Sequence, residues 1–233
     1  VSFNLRGCSG EDNLLLPTYH SGKTEDLDFV INYLIENYSY DKIMVVGYSL
    51  GGNMTLKYFG EHVKTISDKV SCGVAISVPV DLASSSRTMG TSKNKIYMYK
   101  FLRSLRKKIL IKNQKYPDYK LDIKKLLKSK TFKEFDGLYT APVSGFSGPE
   151  DYWEKASSKP YLTSIKKPVL LITSSDDPFL AQECYPFKEA EKSNYFYLEV
   201  TKYGGHVGFI SSLFSKKNRW LENRILQFIK DNG

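Results

Sequence analysis

The chain has 233 residues, 41% of them hydrophobic and 14% aromatic, which is enough apolar material for one large folded domain and too much for a disordered chain. No apolar run approaches the roughly eighteen residues of a membrane span, and the start shows no charged-then-apolar leader with a cleavage site. The net charge of +9 is uneven: Arg87 to Lys133 carries 16 Lys/Arg against two acids, Asp118 and Asp122, leaving 18 basic and 23 acidic residues elsewhere. Such a basic segment faces either solvent or an anionic surface such as a membrane, and with no RNA- or DNA-binding motif beside it a nucleic acid partner is not expected. Cys8, Cys72 and Cys184 are widely spaced and odd in number, as expected of free thiols in a reducing compartment, and three histidines without H-x-x-H or a Cys/His cluster give no basis for a metal site.

In chain order, SFNL at 2–5 reads as a short strand that RGCSG at 6–10 breaks into a loop. Leu27, Val30, Ile31, Leu34 and Ile35 follow at helical spacing, with Glu25 and Asp26 placed where a helix dipole favours acids. Lys42 to Val46 reads as a strand, Asn53 to Phe59 as helix, and Val70 to Val78 as a buried strand. From about 81 to 160 the strand signals give way to basic, tyrosine-rich helical stretches such as KIYMYKFLRSLRKKIL, whose Ile96, Tyr99, Leu102, Leu105 and Ile109 lie near one face, expected to be buried against the core or, as the alternative, to form a lipid-facing side with Tyr97, Tyr99 and Phe101 at its boundary. Strands return at Val169 to Thr173 and in YFYLEV at 195–200, and the chain runs on into an amphipathic helix with Trp220, Leu221, Ile225, Phe228 and Ile229 on its apolar side. Strands alternating with helices predict a mostly parallel α/β sheet, and the helical block predicts an insertion at one sheet edge. The expected organisation is a first part of the core over 1–80, a basic helical cap over 81–160 and a second part of the core over 161–233.

The sequence GYSLGGN at 47–53 lies directly after an apolar strand. G-x-S-x-G in that position is expected to lift Ser49 on a strained strand-to-helix turn, with Gly47 and Gly51 where a Cβ would collide with the turn. A nucleophilic serine needs a base and a group to orient that base. Functional groups in parallel sheets gather after the carboxyl ends of strands, where Asp176 and Asp177 follow one strand and His206 follows the next. The order Ser, Asp, His is that of the α/β-hydrolases.

RGCSG at 6–10, YHSGKTEDL at 19–27, GYSLGGN at 47–53, DDPF at 176–179 and GGHVGF at 204–209 resemble, in this order, the YheT-like branch of the α/β-hydrolase superfamily, which includes abhydrolase-domain lipases and phospholipases and the yeast ethyl ester synthase/esterases. The resemblance implies Ser49 as nucleophile, His206 as general base, Asp177 before Pro178 as orienting acid, with Asp176 bracing the loop, and the Leu50 N–H as an oxyanion donor. It implies no metal or organic cofactor. It also implies earlier strands and a second oxyanion donor upstream of Val1, so that the chain is expected to be a fragment, poorly stable and nearly inactive alone, with any N-terminal anchor left open.

His20 is expected to be structural and His62 superficial, and Arg6 and Cys8 are expected to pack or hydrogen-bond within their loop. The function expected is hydrolysis of carboxylic esters, of small molecules or acyl lipids, through an acyl-enzyme. An alcohol acyltransferase using the same three residues and a non-catalytic ligand-binding protein are the alternatives.

Overall fold

In chain order the elements are α1 (Thr24–Asn37), β1 (Ile43–Tyr48), α2 (Leu50–Glu61) and β2 (Val70–Ile76). Helices follow: α3 (Leu82–Met89), α4 (Lys95–Lys115), α5 (Ile123–Lys128), α6 (Phe132–Phe135), a π-helical turn (Asp136–Thr140), α7 (Ala141–Val143) and α8 (Pro149–Ala156). Beyond them lie β3 (Val169–Ser174), α9 (Phe187–Glu191), β4 (Phe196–Thr201) and α10 (Trp220–Asn232). This computed structural model describes residues 1–210 and 219–233.

One compact unit comprises Ser21–Asp81 and Ser157–Gly233. Its strands pair in the order β1-β2-β3-β4, all parallel. Parallel strands are joined by crossovers that cover both faces of the sheet, so their central members become apolar throughout. Accordingly β3 is buried along its whole length and β2 everywhere but Ser71. Alternation turns Cys72, Val74 and Ile76 of β2 to one face, where with Leu170 and Ile172 of β3 they pack on Leu221, Ile225 and Phe228 of α10. On the opposite face the Phe59 ring of α2 approaches Gly73 so closely that a Cβ there would meet it at 2.9 Å. Trp220 stays partly exposed but stacks on Phe209, with ring centroids 5.8 Å apart.

β1 lies at the edge of the sheet and leaves Met44, Val46 and Tyr48 exposed. The strand expected to run to Val78 stops at Ile76, because Ser77 adopts φ 51° and turns the chain out of the ladder. α2 begins earlier than expected, directly at Leu50.

The second unit comprises Val1–His20 and Leu82–Ala156. The short strand expected at 2–5 does not form; residues 1–20 contain neither helix nor strand, and no strand pairs with them among the described residues. A strand exists only through its neighbour's hydrogen bonds. The loop that follows is held instead by α4. The buried Lys112 ammonium donates to the carbonyls of Asn13 (2.7 Å) and Leu15 (2.6 Å) and pairs with Asp12 (3.1 Å), which Lys115 also reaches at 3.0 Å. Burial alone would raise the Asp12 carboxyl, but hydrogen bonds from Lys115 and Lys112 outweigh it and hold it below the usual carboxylate range.

Lys112 also marks where the expected buried face of α4 is wrong. Met98, Leu102, Ile109 and Lys112 are the buried residues, whereas Ile96 is 71% and Tyr99 59% exposed. The buried positions, with half-buried Leu105, recur at alternating steps of four and three, a narrow seam that leaves Ile96 and Tyr99 outside it.

Asp136 opens the π-helical turn of this unit and is buried, accepting from Thr140 Oγ1 at 2.7 Å and from Trp153 Nε1 at 2.9 Å. Burial pushes its carboxyl up to about 6, the two hydrogen bonds offsetting only part of the effect. The native state therefore holds a proton that the unfolded chain releases at lower pH, so this group's contribution is fully present below pH 4 and is lost as pH rises through about 6. Asp136→Asn keeps an acceptor for Trp153 and can donate to the Thr140 hydroxyl. The variant is expected to gain up to about 3 kcal/mol at pH 7 and nothing at pH 4, as urea unfolding at the two pH values would measure.

Candidate active site

The turn at Ser49 follows from close approach. A Cβ on Gly47 would lie on the Gly51 carbonyl and the Thr55 hydroxyl, so β1 can pass into α2 only with glycine at 47. Gly51 corrects the expectation, since a Cβ there would meet nothing within 4 Å. The second glycine the packing requires is Gly52, where a Cβ would meet Val78 Cγ2 at 2.5 Å. Ser49 itself has φ 49° and ψ −116°, a conformation that costs a non-glycine residue about 1 to 3 kcal/mol. Its N–H donates to Ile76 O at 2.8 Å, extending the β1–β2 ladder, and its carbonyl accepts from Asn53 N at 3.0 Å, starting the helix. Asn53 is fully buried, bonding Ser21 O through Nδ2 at 2.8 Å and Ser158 N through Oδ1 at 2.9 Å. The ladder, the helix and these side-chain bonds together hold the strained residue in place.

The loops after β3 and β4 bring the other two residues to this turn. His206 Nε2 lies 2.9 Å from Ser49 Oγ, and His206 Nδ1 lies 2.8 Å from Asp177 Oδ2. The Asp177 side chain is wholly buried and its Oδ1 accepts from Phe179 N at 2.9 Å. A carboxylate only accepts, so Nδ1 carries the proton of a neutral imidazole and Nε2 is left to accept from the serine hydroxyl. One face of the ring is covered by Phe179, whose centroid is 4.5 Å away.

Asp176 points elsewhere: its Oδ1 accepts from Gly205 N at 2.8 Å. Burial acts to raise this carboxyl, and the Gly205 N–H, the Ser174 hydroxyl and the Gly204 N–H outweigh it and hold it low. Ser174 Oγ donates to the Gly205 carbonyl at 2.7 Å, so Gly205, the residue before His206, is held through both its N–H and its carbonyl. Tyr185 supports the same loop by donating to Ser174 O at 2.8 Å, and burial, then the nearby negative charge of Asp177, pushes its hydroxyl up to about 12. Gly204 has no room for a Cβ, which would meet the Phe209 ring at 2.7 Å. Gly52, Asn53, Ser174 and Tyr185 were not singled out from sequence; the doubled glycine of GYSLGGN carried a signal for the first, and the others act through backbone groups that no pattern displays.

Among the remaining residues raised by the sequence, His20 packs edge-on against Phe146 and Tyr152 in the helical unit, at 5.5 and 5.7 Å between centroids. His62 is half-buried rather than superficial, its ring 4.8 Å from that of Tyr58. Cys8 Sγ accepts from Lys108 Nζ at 2.9 Å, and all three cysteines are free.

A parallel sheet with a serine raised between strand and helix, and an acid and a histidine after later strands, defines the α/β-hydrolase class. Residues 1–213 match the alpha/beta hydrolase fold family, and the chain belongs to it. YheT of Escherichia coli (strain K12), named with reserve as an esterase, is 34% identical over 226 residues, covering 97% of this chain and 66% of YheT. The Homo sapiens protein named phospholipase ABHD3 is 30% identical over 233 residues, covering 99% of this chain and 56% of that protein. These relatives are of the branch the five motifs pointed to, and the chain spans from just over half to about two thirds of their length. Among solved structures, the Pyrococcus furiosus esterase Pf2001 aligns with a TM-score of 0.59 at 20% identity, over 99% of this chain and 69% of that one, a likeness of fold.

Proposed function

We propose that this chain carries the reacting residues of a serine hydrolase that cleaves carboxylic esters of acyl lipids. The continuous hydrogen-bonded run from Ser49 Oγ through His206 to Asp177 supports the reading most strongly. The names of relatives, among them a phospholipase and a Saccharomyces cerevisiae monoacylglycerol lipase, 28% identical over 98% of this chain and 51% of that protein, favour lipid esters as the substrate class.

In this scheme Ser49 Oγ bonds to the ester carbonyl carbon while its proton passes to His206 Nε2, and the carbonyl electron pair moves onto oxygen. As the first residue of α2, Leu50 presents an N–H with no acceptor inside the helix, at the end where the helix favours negative charge, and it would receive the oxyanion. Collapse of the tetrahedral intermediate breaks the bond to the alcohol, which leaves with the proton from Nε2. Water then attacks the acyl-enzyme by the same route and restores Ser49. Asp177 keeps the imidazole in the accepting tautomer and stabilises the imidazolium. The chemistry calls for no metal or organic cofactor. Contact of the basic helices with a membrane surface belongs to the same lipid-directed reading.

The test, made on the whole protein because the chain alone is expected to be nearly inactive, is turnover of p-nitrophenyl acyl esters of increasing chain length, with and without ethanol. The expected result is free carboxylic acid as the dominant product and a preference for acyl chains over acetate. Ethyl ester as the dominant product would replace hydrolysis by acyl transfer to alcohol. Absence of turnover and of acyl-enzyme by mass spectrometry would leave the fold as a ligand-binding one.

A further inference from the structure

We infer that the outward face of α4 docks the protein on an anionic lipid surface, which deepens the lipid-directed reading above without depending on the chemistry of Ser49. α4 carries eight lysines and arginines and no acid over its 21 residues. They fall into two groups. Lys112 and Lys115 are paired with Asp12, Arg106 donates to Ser129 O, and Lys108 reaches Cys8 Sγ and lies 4.8 Å over the Tyr19 ring. These four are engaged in holding their own unit together. Lys95, Lys100, Arg103 and Lys107 are exposed and make no ion pair among the described residues.

The helical repeat sets Lys100, Arg103 and Lys107 opposite the buried seam of Met98, Leu102 and Ile109. On that same outward arc lie Ile96 at 71% exposure and Leu110 and Ile111 at 42% each, with Tyr99 at 59% on its flank. Four large side chains exposed together among the cations exceed the singly scattered apolar residues of an ordinary water-facing helix. Both features suit an interface in which lysine and arginine reach phosphate and carboxylate headgroups while apolar side chains enter the acyl boundary. No described helix is long and apolar enough to cross a membrane, and α4 in particular is far too charged, so it would lie along the surface. The complementary surface is a bilayer rich in anionic lipid; a basic face reading nucleic acid would present hydrogen-bonding and stacking groups to bases instead of isoleucine and leucine.

The experiment is co-sedimentation of the whole chain with sucrose-loaded vesicles of phosphatidylcholine alone or with about a third phosphatidylserine. The expected result is binding to the anionic vesicles only, weakened at high salt because exposed charges are screened. Removing three surface charges in K100Q/R103Q/K107Q is expected to lower partitioning roughly a hundredfold. Ile96→Ser with Ile111→Ser, at exposed positions, should lower it as well, and circular dichroism would verify that both variants remain folded. Ser49→Ala should bind like the parent, which separates this inference from the hydrolase reading. Equal binding to neutral vesicles, an unchanged charge variant that is folded, or no binding at low salt would overturn the inference. So would retention on duplex DNA without vesicle binding, which would assign the face to nucleic acid.

Discussion

Ser49→Ala is expected to abolish labelling by a fluorophosphonate probe and to lower ester turnover by roughly 10³- to 10⁶-fold, with the fold retained. The size of the effect follows from the geometry. Ser49 Oγ is 2.9 Å from His206 Nε2, and no other hydroxyl is described within hydrogen-bonding distance of that nitrogen. Alanine removes the atom that would form the acyl bond, and what residual rate remains has to come from the Leu50 N–H and His206 acting on water. Mass spectrometry of the labelled parent should find the probe on Ser49. Probe on a different serine, or turnover unchanged in the variant, would remove the proposed nucleophile and with it the mechanism. The backbone gives a second measure. Alanine is as strained as serine at φ 49°, so thermal stability should barely move, whereas Ser49→Gly should raise it by about 1 kcal/mol while losing activity equally.

The adjacent aspartates yield the second large effect. Asp177→Asn is expected to cost roughly 10⁴ in kcat. An amide facing His206 Nδ1 can donate, which favours the tautomer with its proton on Nε2 and leaves no acceptor for Ser49. Asp176→Ala acts differently. It releases the Gly205 N–H and loosens the loop that carries His206, and a displacement near 1 Å is expected to cost about 10²-fold. Asp176→Asn retains an acceptor and should recover most of that loss, while Asp177→Asn recovers nothing. The reverse ranking would exchange the two roles.

Much of the architecture could be read before any coordinates. The parallel sheet was legible because β2 and β3 are apolar runs between helical patterns, and both faces of such strands must be covered. The elbow was legible because Gly47 has no steric substitute, and the contacts of α10 because Leu221, Ile225 and Phe228 recur at the helical period. Ser49, the Asp176–Asp177 pair and His206 could be nominated because each follows a strand at its carboxyl end, and the resemblance chose Asp177 and gave the roles. What a sequence pattern states is which groups an element offers.

What lies across from each element is a property of the packed chain, and there the reading failed or stayed open. SFNL at 2–5 has strand composition, yet a strand is made by its partner and none pairs with it among the described residues. Hydropathy placed Ile96 and Tyr99 on the buried face of α4, but the seam follows Met98 to Lys112, whose ammonium is buried because Asp12 and two carbonyls meet it there. Gly51 and Gly52 are indistinguishable in GYSLGGN until Val78 is seen against the second. Strand position alone leaves Asp176 and Asp177 alike, and the choice of Asp177 before Pro178 came from the resemblance; the chain's direction after β3 turns one to the Gly205 amide and the other to the imidazole. Periodicity and local sterics act within a few residues and are written in order along the chain, whereas hydrogen-bond partners and burial are decided by groups far along it, 29 residues from Asp176 to Gly205 and 99 from Lys112 to Asn13, which only folding brings into contact.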